Sequence, residues 1–320
     1  MALGRVLAER FSDGVLDWLR ERCDVVVVDP WLEPERWVQE APDVDAVMSR
    51  KGQITGDLMR ASEGRMKIIA RTGVGVDPSR VDLKTAKELR IWVTNMPGSN
   101  AASVAELAFA QMLALLRHTH EANVAVREGR WGDYGKFFGT ELAGKTLGIV
   151  GFGNIGSRMA LRARAFEMEF LAYDPYIPDT YITALMGKQV SLEELLAQSD
   201  LVTVHCPLTD ETRGMIGAKE LALMKPGAYI LNLARGGIVE EQALYESLRD
   251  GKIAGAAVDA MVQEPPPADH RLFTLPNILL TPHIGGSTAE ASDRGEWGAA
   301  QEVVRVLGGE APKNPVLRFE

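Results

Sequence analysis

Four groups of residues in this chain have the types and spacing that chemistry needs. The first is glycine-rich: Thr146-Leu147-Gly148-Ile149-Val150-Gly151-Phe152-Gly153-Asn154-Ile155-Gly156. An apolar run leads into G-x-G-x-x-G, and a helical pattern follows. Gly151 permits the tight turn, Gly153 lets the backbone approach a pyrophosphate, and Gly156 lets the helix pack close to the strand. The helix start, with Asn154 and Ile155 in its first turn, offers free N–H groups and a positive dipole end to phosphates. A second apolar run, Phe170-Leu171-Ala172-Tyr173, ends at Asp174. A carboxylate there accepts hydrogen bonds from the adenosine ribose hydroxyls and repels a 2′-phosphate, which favours NAD over NADP. Strand, turn, helix, strand and terminal acid in this order specify a dinucleotide site far better than glycines alone.

The other three groups follow later strands. Asn232-Leu233-Ala234-Arg235-Gly236-Gly237 places an arginine between glycines at a strand end. Val258-Asp259-Ala260-Met261-Val262-Gln263-Glu264-Pro265 carries acids just past the next strand, and Thr281-Pro282-His283-Ile284-Gly285-Gly286 places a histidine past the last one. Singly, Arg235 reads as a surface arginine, Glu264 as a solvated loop acid and His283 as structural. Ligands of open α/β sheets bind outside the carboxyl ends of the strands, and all three lie there with the glycine turn. The other histidines are bland: His118 and His120 end a helix, His270 is in a loop rich in Pro and Asp, and His205 ends a strand next to Cys206.

The elements that must position these residues are readable from periodicity. Residues 1–95 alternate strands and helices, with strands at 24–30, 45–49, 67–71 and 91–95 and helical patterns at 55–62 and 79–89. Met96-Pro97-Gly98-Ser99-Asn100 breaks the pattern. Ser103 to His120 reads as one long apolar-rich helix, poor in charge and therefore buried in a core or against another subunit. A second α/β unit has strands at 146–150, 169–174, 200–205, 227–232, 255–260 and 277–281. Ser191-Leu192-Glu193-Glu194 starts a helix as a capping box. A last helical pattern covers 289–308. The fold class expected is α/β, with doubly wound parallel sheets.

The chain has 320 residues, enough for two domains with real cores. With 35 Lys and Arg against 44 Asp and Glu its net charge is −9. That excludes nucleic acid and anionic membrane as expected partners, since both need a basic face. Two distant cysteines, Cys23 and Cys206, make neither a disulfide framework nor a structural zinc site, and no metal is expected. No run approaches a membrane span, and the N-terminal segment does not read as a secretory signal. The expected compartment is the cytoplasm.

Taken together, Ala70-Arg71-Thr72-Gly73-Val74-Gly75-Val76-Asp77, Asn95-Met96-Pro97-Gly98-Ser99-Asn100, Ser103-Val104-Ala105-Glu106, the glycine turn, Ala234-Arg235-Gly236-Gly237, Glu264-Pro265 and Pro282-His283-Ile284-Gly285-Gly286-Ser287-Thr288 resemble the D-2-hydroxyacid dehydrogenase family over nearly the whole chain. Lys136 to Gly148 and Gly285-Gly286-Ser287-Thr288 are most similar to its phosphoglycerate dehydrogenases, without the C-terminal regulatory domain that many of those carry. Amino-acid feedback through such a domain is therefore not expected.

The resemblance implies two Rossmann-like or flavodoxin-like domains. A substrate domain would comprise 1–100 plus 288–320, an NAD-binding domain 101–287, with the active site in the cleft between them and a homodimer through the 103–120 helix region. His283 would be the general acid/base, suited to the work because imidazole changes charge near neutral pH. Glu264 would orient it, and Arg235 would bind the substrate carboxylate and polarise the carbonyl. Arg71, Gly73, Val74 and Gly75 would bind substrate from the other domain. Asp259 would anchor the nicotinamide carboxamide, and cofactor contacts would extend to Cys206, Pro207, Thr212, Leu233, Ala234, Gly285 and Gly286. The implied reaction interconverts an (R)-2-hydroxy acid and its 2-oxo acid with NAD. The substrate would be similar to 3-phosphoglycerate, or to hydroxypyruvate or glyoxylate, because Trp131-Gly132-Asp133-Tyr134-Gly135 stands where a phosphoglycerate enzyme calls for more basic residues. Alternatives are another anionic 2-hydroxy acid or an NAD(H)-sensing corepressor-like binding module. Formate dehydrogenase is disfavoured by Glu264, where a glutamine would be expected.

Overall fold

The computed structural model describes residues 2–76 and 80–319. Asp77, quoted in the family segment above, and position 79, the expected helix start, lie outside the described residues. The chain forms two compact units, Met1–Asn100 with Ser287–Glu320, and Ala101–Gly286.

In chain order the first unit contains β1 (Arg5–Ala8), α1 (Asp13–Arg20), β2 (Asp24–Val27), α2 (Pro34–Gln39), β3 (Ala46–Ser49), α3 (Gly56–Ala61), β4 (Ile68–Arg71), α4 (Leu83–Glu88) and β5 (Trp92–Thr94). The second contains α5 (Ala101–Arg117), α6 (Thr119–Arg127), β6 (Thr146–Val150), α7 (Asn154–Ala165), β7 (Glu169–Tyr173), α8 (Asp179–Thr183), β8 (Lys188–Gln189), α9 (Leu192–Gln198), β9 (Leu201–Val204), α10 (Ala218–Leu221), β10 (Tyr229–Asn232), α11 (Glu241–Arg249), β11 (Gly255–Val258) and β12 (Ile278–Leu280). The chain then returns to the first unit as α12 (Ala289–Leu307).

The smaller sheet runs β2-β1-β3-β4-β5 with all pairs parallel, the flavodoxin-like order. Alternate residues face opposite sides. Val6, Ala8, Ala46, Met48, Ile68 and Ala70 pack with α1 and α12 through Leu16, Leu19, Ala299 and Val303. Leu7, Val47, Ile69 and Val93 pack on the other face with Trp37, Leu58 and Met59.

The larger sheet runs β12-β11-β10-β9-β6-β7-β8, again all parallel. This is the Rossmann order with one further strand, and it reverses between β6 and β9. Leu147, Ile149, Phe170 and Ala172 face α5 and α7, whose Met112, Met159 and Ala163 close that core. Val150, Val202, Val204 and Ile230 face α9 and α11, with Leu195 and Leu244 among the residues closing the other.

The expectation of two doubly wound parallel sheets is met, and three local features differ. β1 and the two-residue β8 join the strands read from sequence. The helix read across 103–120 is two helices, because His118 takes a left-handed backbone at φ 51° and ends α5.

Candidate active site

The turn after β6 is built by its glycines. Gly151 has φ +88°, and a Cβ on it would lie 2.6 Å from the Cys206 nitrogen after β9. A Cβ on Gly156 would lie 2.2 Å from the Gly151 carbonyl, so only glycine lets α7 start this close to the strand. A Cβ on Gly153 would meet no atom within 4 Å. No described protein atom requires that glycine, and the space beside it is open to a ligand. Gly153 is also the residue that caps α7, so unpaired N–H groups of Asn154 and Ile155 start the helix there. The residues therefore fit a dinucleotide pyrophosphate.

Asp174, at the end of β7, ties the turn to that strand. Its Oδ2 accepts from the Phe152 N–H at 2.8 Å and its Oδ1 from the Tyr176 N–H at 2.9 Å. On the other side of the reversal point lie His205 and Cys206. Burial pushes the His205 imidazole down to about 3, and its Nε2 meets the Thr203 hydroxyl at 2.8 Å. Burial pushes the Cys206 thiol up to about 11, with the Asp174 charge adding to the rise. Both groups are therefore neutral near pH 7. Thr212 closes the following loop, donating to the Pro207 carbonyl at 2.6 Å and accepting from the Thr209 N–H at 2.8 Å.

At the ends of β10, β11 and β12 the three chemical candidates appear. His283 Nδ1 lies 2.8 Å from Glu264 Oε2 and 2.9 Å from Oε1. Both side chains are accessible, at 42% and 39%. Glu264 is itself fixed, since its Oε1 accepts from the Met261 N–H at 3.0 Å. Because Nδ1 faces the carboxylate, Nε2 is the ring nitrogen left to exchange a proton. Arg235 is exposed and uses one N–H on the Ala234 carbonyl at 2.8 Å. Asn232 holds its loop, donating to the Arg235 carbonyl at 2.9 Å and accepting from the Ala234 N–H at 3.2 Å. A Cβ on Gly236 would stand 2.1 Å from the Met261 carbonyl carbon, so the arginine loop lies directly against the loop leading to Glu264. Leu233 and Ala234 are buried beneath it.

Asp259 is 2% exposed, and its carboxylate meets the turn that carries His283. Ile284 and Gly285 donate their N–H groups to it at 2.9 and 2.8 Å. The His283 N–H donates to the Asp259 carbonyl at 2.9 Å, and His283 itself has a left-handed φ of 53°. Gly286 follows as the last residue of the larger unit.

The remaining candidates are on the smaller unit, at the ends of β3 and β4. Arg71 is 5% exposed, and its guanidinium points into the protein. It donates to Ser49 Oγ at 2.8 Å, to the Gly52 carbonyl at 3.2 Å and to the Arg50 carbonyl. Gly73, Val74 and Gly75 form the turn after β4, steadied by the Met96 N–H on the Gly73 carbonyl at 3.0 Å and by Asn95 on the Val74 carbonyl. Gly295 of α12 allows that helix to touch Thr72, where a Cβ would stand 2.2 Å from the carbonyl oxygen.

Sequence reasoning missed Glu9. This carboxylate is 7% exposed. Its Oε1 accepts from the backbone N–H groups of Arg50, Lys51 and Gly52 at 2.8, 2.8 and 2.6 Å, and from Ser49 Oγ at 2.6 Å. The signal available was an acid directly after a run of strand residues, which is common. Glu296 was missed likewise: it accepts from the Ser12 N–H at 2.9 Å and pairs with Arg50.

Known proteins resemble this chain in sequence and fold. The family profile described as D-isomer specific 2-hydroxyacid dehydrogenase, NAD binding domain, matches residues 109–285. The D-3-phosphoglycerate dehydrogenase of Archaeoglobus fulgidus is 40% identical over 312 residues, which is 97% of this chain and 58% of that protein. The hydroxypyruvate reductase of Thermotoga maritima is 42% identical over 293 residues, 91% of this chain and 94% of that protein. The chain thus spans little more than half the length of the first relative and nearly all of the second. The crystal structure of the TT0316 protein from Thermus thermophilus superposes with a TM-score of 0.87 at 36% identity, covering 98% of this chain and all of that one.

Proposed function

This chain belongs to the D-isomer specific 2-hydroxyacid dehydrogenase family, and from that premise we propose that it interconverts an (R)-2-hydroxy acid and its 2-oxo acid with NAD as hydride carrier. The observation that carries the reading is the His283–Glu264 pair, at the strand ends of the sheet that bears the glycine turn.

NAD, when bound, exchanges a hydride with C2 of the substrate. The turn at Gly151–Gly156 would hold its pyrophosphate, Asp174 its adenosine ribose, and Cys206, Pro207 and Thr212 the adjoining wall. Asp174 sets the preference for NAD over NADP by repelling a 2′-phosphate. In the reducing direction His283 Nε2 gives its proton to the C2 oxygen, and in the oxidising direction it takes that proton back. Glu264 holds Nδ1–H and so fixes the ring's orientation and tautomer. Arg235 binds the substrate carboxylate and draws electron density from the C2 oxygen through charge-assisted hydrogen bonds. On the smaller unit, Val74 and Gly75 would offer their N–H groups to an anionic substrate group. Arg71 supports them by fixing the neighbouring loop.

A small 2-oxo acid of the hydroxypyruvate or glyoxylate kind suits the segment at 131–136, where Asp133 pairs with both Arg130 and Lys136 and balances their charge. The hydroxypyruvate reductase of Thermotoga maritima, matched over nearly its full length, supports the same choice. A cytoplasmic location suits the acidic chain and its two free cysteines, and no helix among the described residues is long and apolar enough to cross a membrane. We assign assembly to a homodimer along the 103–120 region, extended by the exposed Trp131, Tyr134 and Phe138.

The deciding experiment follows nicotinamide absorbance with NADH and a panel of 2-oxo acids, with and without a phosphate, and with NAD and the matching hydroxy acids. Oxidation of NADH by hydroxypyruvate or glyoxylate is the expected result. A protein that binds NADH yet turns over no member of the panel is not a dehydrogenase of this kind.

A further inference from the structure

The turn that carries His283 is held by a chain of buried polar groups that reaches a helix far from it in sequence. Asp259 Oδ1 accepts from the Thr281 hydroxyl at 2.5 Å and from the Ile284 N–H at 2.9 Å, and Oδ2 accepts from the Gly285 N–H at 2.8 Å. The Thr281 hydroxyl in turn accepts from Gln111 Nε2 at 3.0 Å. Gln111 is on α5, is 2% exposed, and its Oε1 has no hydrogen-bond partner among the described residues. A threonine hydroxyl has one proton. It goes to the carboxylate, so the glutamine must present its N–H to the free lone pair. Direction is therefore fixed along the chain, from Gln111 through Thr281 to Asp259 and so to the two amides that directly follow His283.

We propose that Gln111 and Thr281 are positioning residues for His283. The physical case has three parts. A buried carboxylate is held in place by its donors, and without the hydroxyl Oδ1 keeps only the Ile284 amide. The turn has little slack, because a Cβ on Gly285 would stand 2.9 Å from Asp259 Oδ2. His283 sits in a left-handed conformation that a non-glycine residue keeps only when its surroundings impose it. An amide buried on α5 with one end unpartnered gains little for the helix itself, and its paired end points at this turn.

The proposal rests on His283 being the acid/base. The test combines kinetics with amide hydrogen exchange on the NADH-bound protein, using Thr281→Val, Thr281→Ser and Gln111→Leu, with His283→Ala as reference. Thr281→Val keeps the shape and loses the hydroxyl. Its kcat is expected to fall about ten- to a hundredfold, with KM and the NADH Kd within about threefold of the parent. The amides of Ile284 and Gly285 should lose protection. Thr281→Ser should restore both readouts, and Gln111→Leu should give a smaller loss of the same kind. If Thr281→Val folds poorly, Gln111→Leu against the parent carries the same comparison. Parent-like kcat in Thr281→Val, with His283→Ala inactive, overturns the positioning role. Unchanged protection of the two amides overturns the relay itself, whether or not a substrate is found. An active His283→Ala overturns the acid/base assignment instead.

Discussion

Two turns at the carboxyl ends of parallel strands make opposite use of the same backbone groups. After β6, the turn at Gly151–Gly156 leaves the helix-start N–H groups of Asn154 and Ile155 beside a space where a Cβ on Gly153 would meet no described protein atom. After β3, the turn at Arg50–Gly52 also aligns three successive N–H groups, and Glu9 has already filled them. Both are anion cradles in the physical sense. The first is open, as a ligand site must be. The second is closed by the chain's own carboxylate and serves the fold, with Arg71 sealing it from the carbonyl side. A nest of N–H groups is therefore no sign of a ligand until one asks what already occupies it.

The comparison can be broken most severely at the open edge. His283→Ala should lower kcat by about a hundred- to ten-thousandfold while NADH affinity, read by fluorescence, stays unchanged. Activity near that of the parent would mean that chemistry does not reside on this sheet edge. At the closed edge, Glu9→Ala should cost the smaller unit about 3 kcal/mol, since it strands several buried donors. Chemical denaturation reads that loss, and NADH binding should not change with it. An unaltered denaturation midpoint would mean that Glu9 does not occupy the nest in solution.

Smaller effects sharpen the contrast. Asp174→Ala should shift the ratio of kcat/KM for NAD over NADP by about tenfold or more, because ribose acceptor and repulsion vanish together. Gly153→Ala should weaken NADH by about tenfold with no loss of thermal stability, as expected of a position whose neighbour is the ligand. Equal losses of binding and stability there would assign Gly153 to the fold.

Much of this was legible in the chain because glycine turns leave positional traces. Gly151 and Gly156 are demanded by contacts that any strand–turn–helix of this tightness makes, so their spacing announces them. Arg235, Glu264 and His283 were legible as residues lying just beyond strand ends. Side-chain direction was not. An arginine at the end of β4 can turn outward or inward, and packing against Ser49 and Gly52 turns Arg71 inward. Glu9, Glu296 and Gln111 pair with residues 41, 284 and 170 positions away, and such pairings have no local pattern. The break at His118 also escaped periodicity, because one left-handed residue interrupts a helix without interrupting its apolar content.

The chain leaves the smaller unit once, after Asn100, and re-enters it once, at Ser287. All seven strands of the larger sheet are synthesised between those points, so that sheet holds every strand it needs before the last segment emerges from the ribosome. The smaller sheet has its five strands much earlier, but one face lacks α12, whose Ala299, Ala300 and Val303 belong to that core. During synthesis, Val6, Met48, Ile68 and Ala70 must wait for a cover encoded some two hundred residues later. The order of completion is thus the reverse of the order of appearance: the unit begun first is finished last.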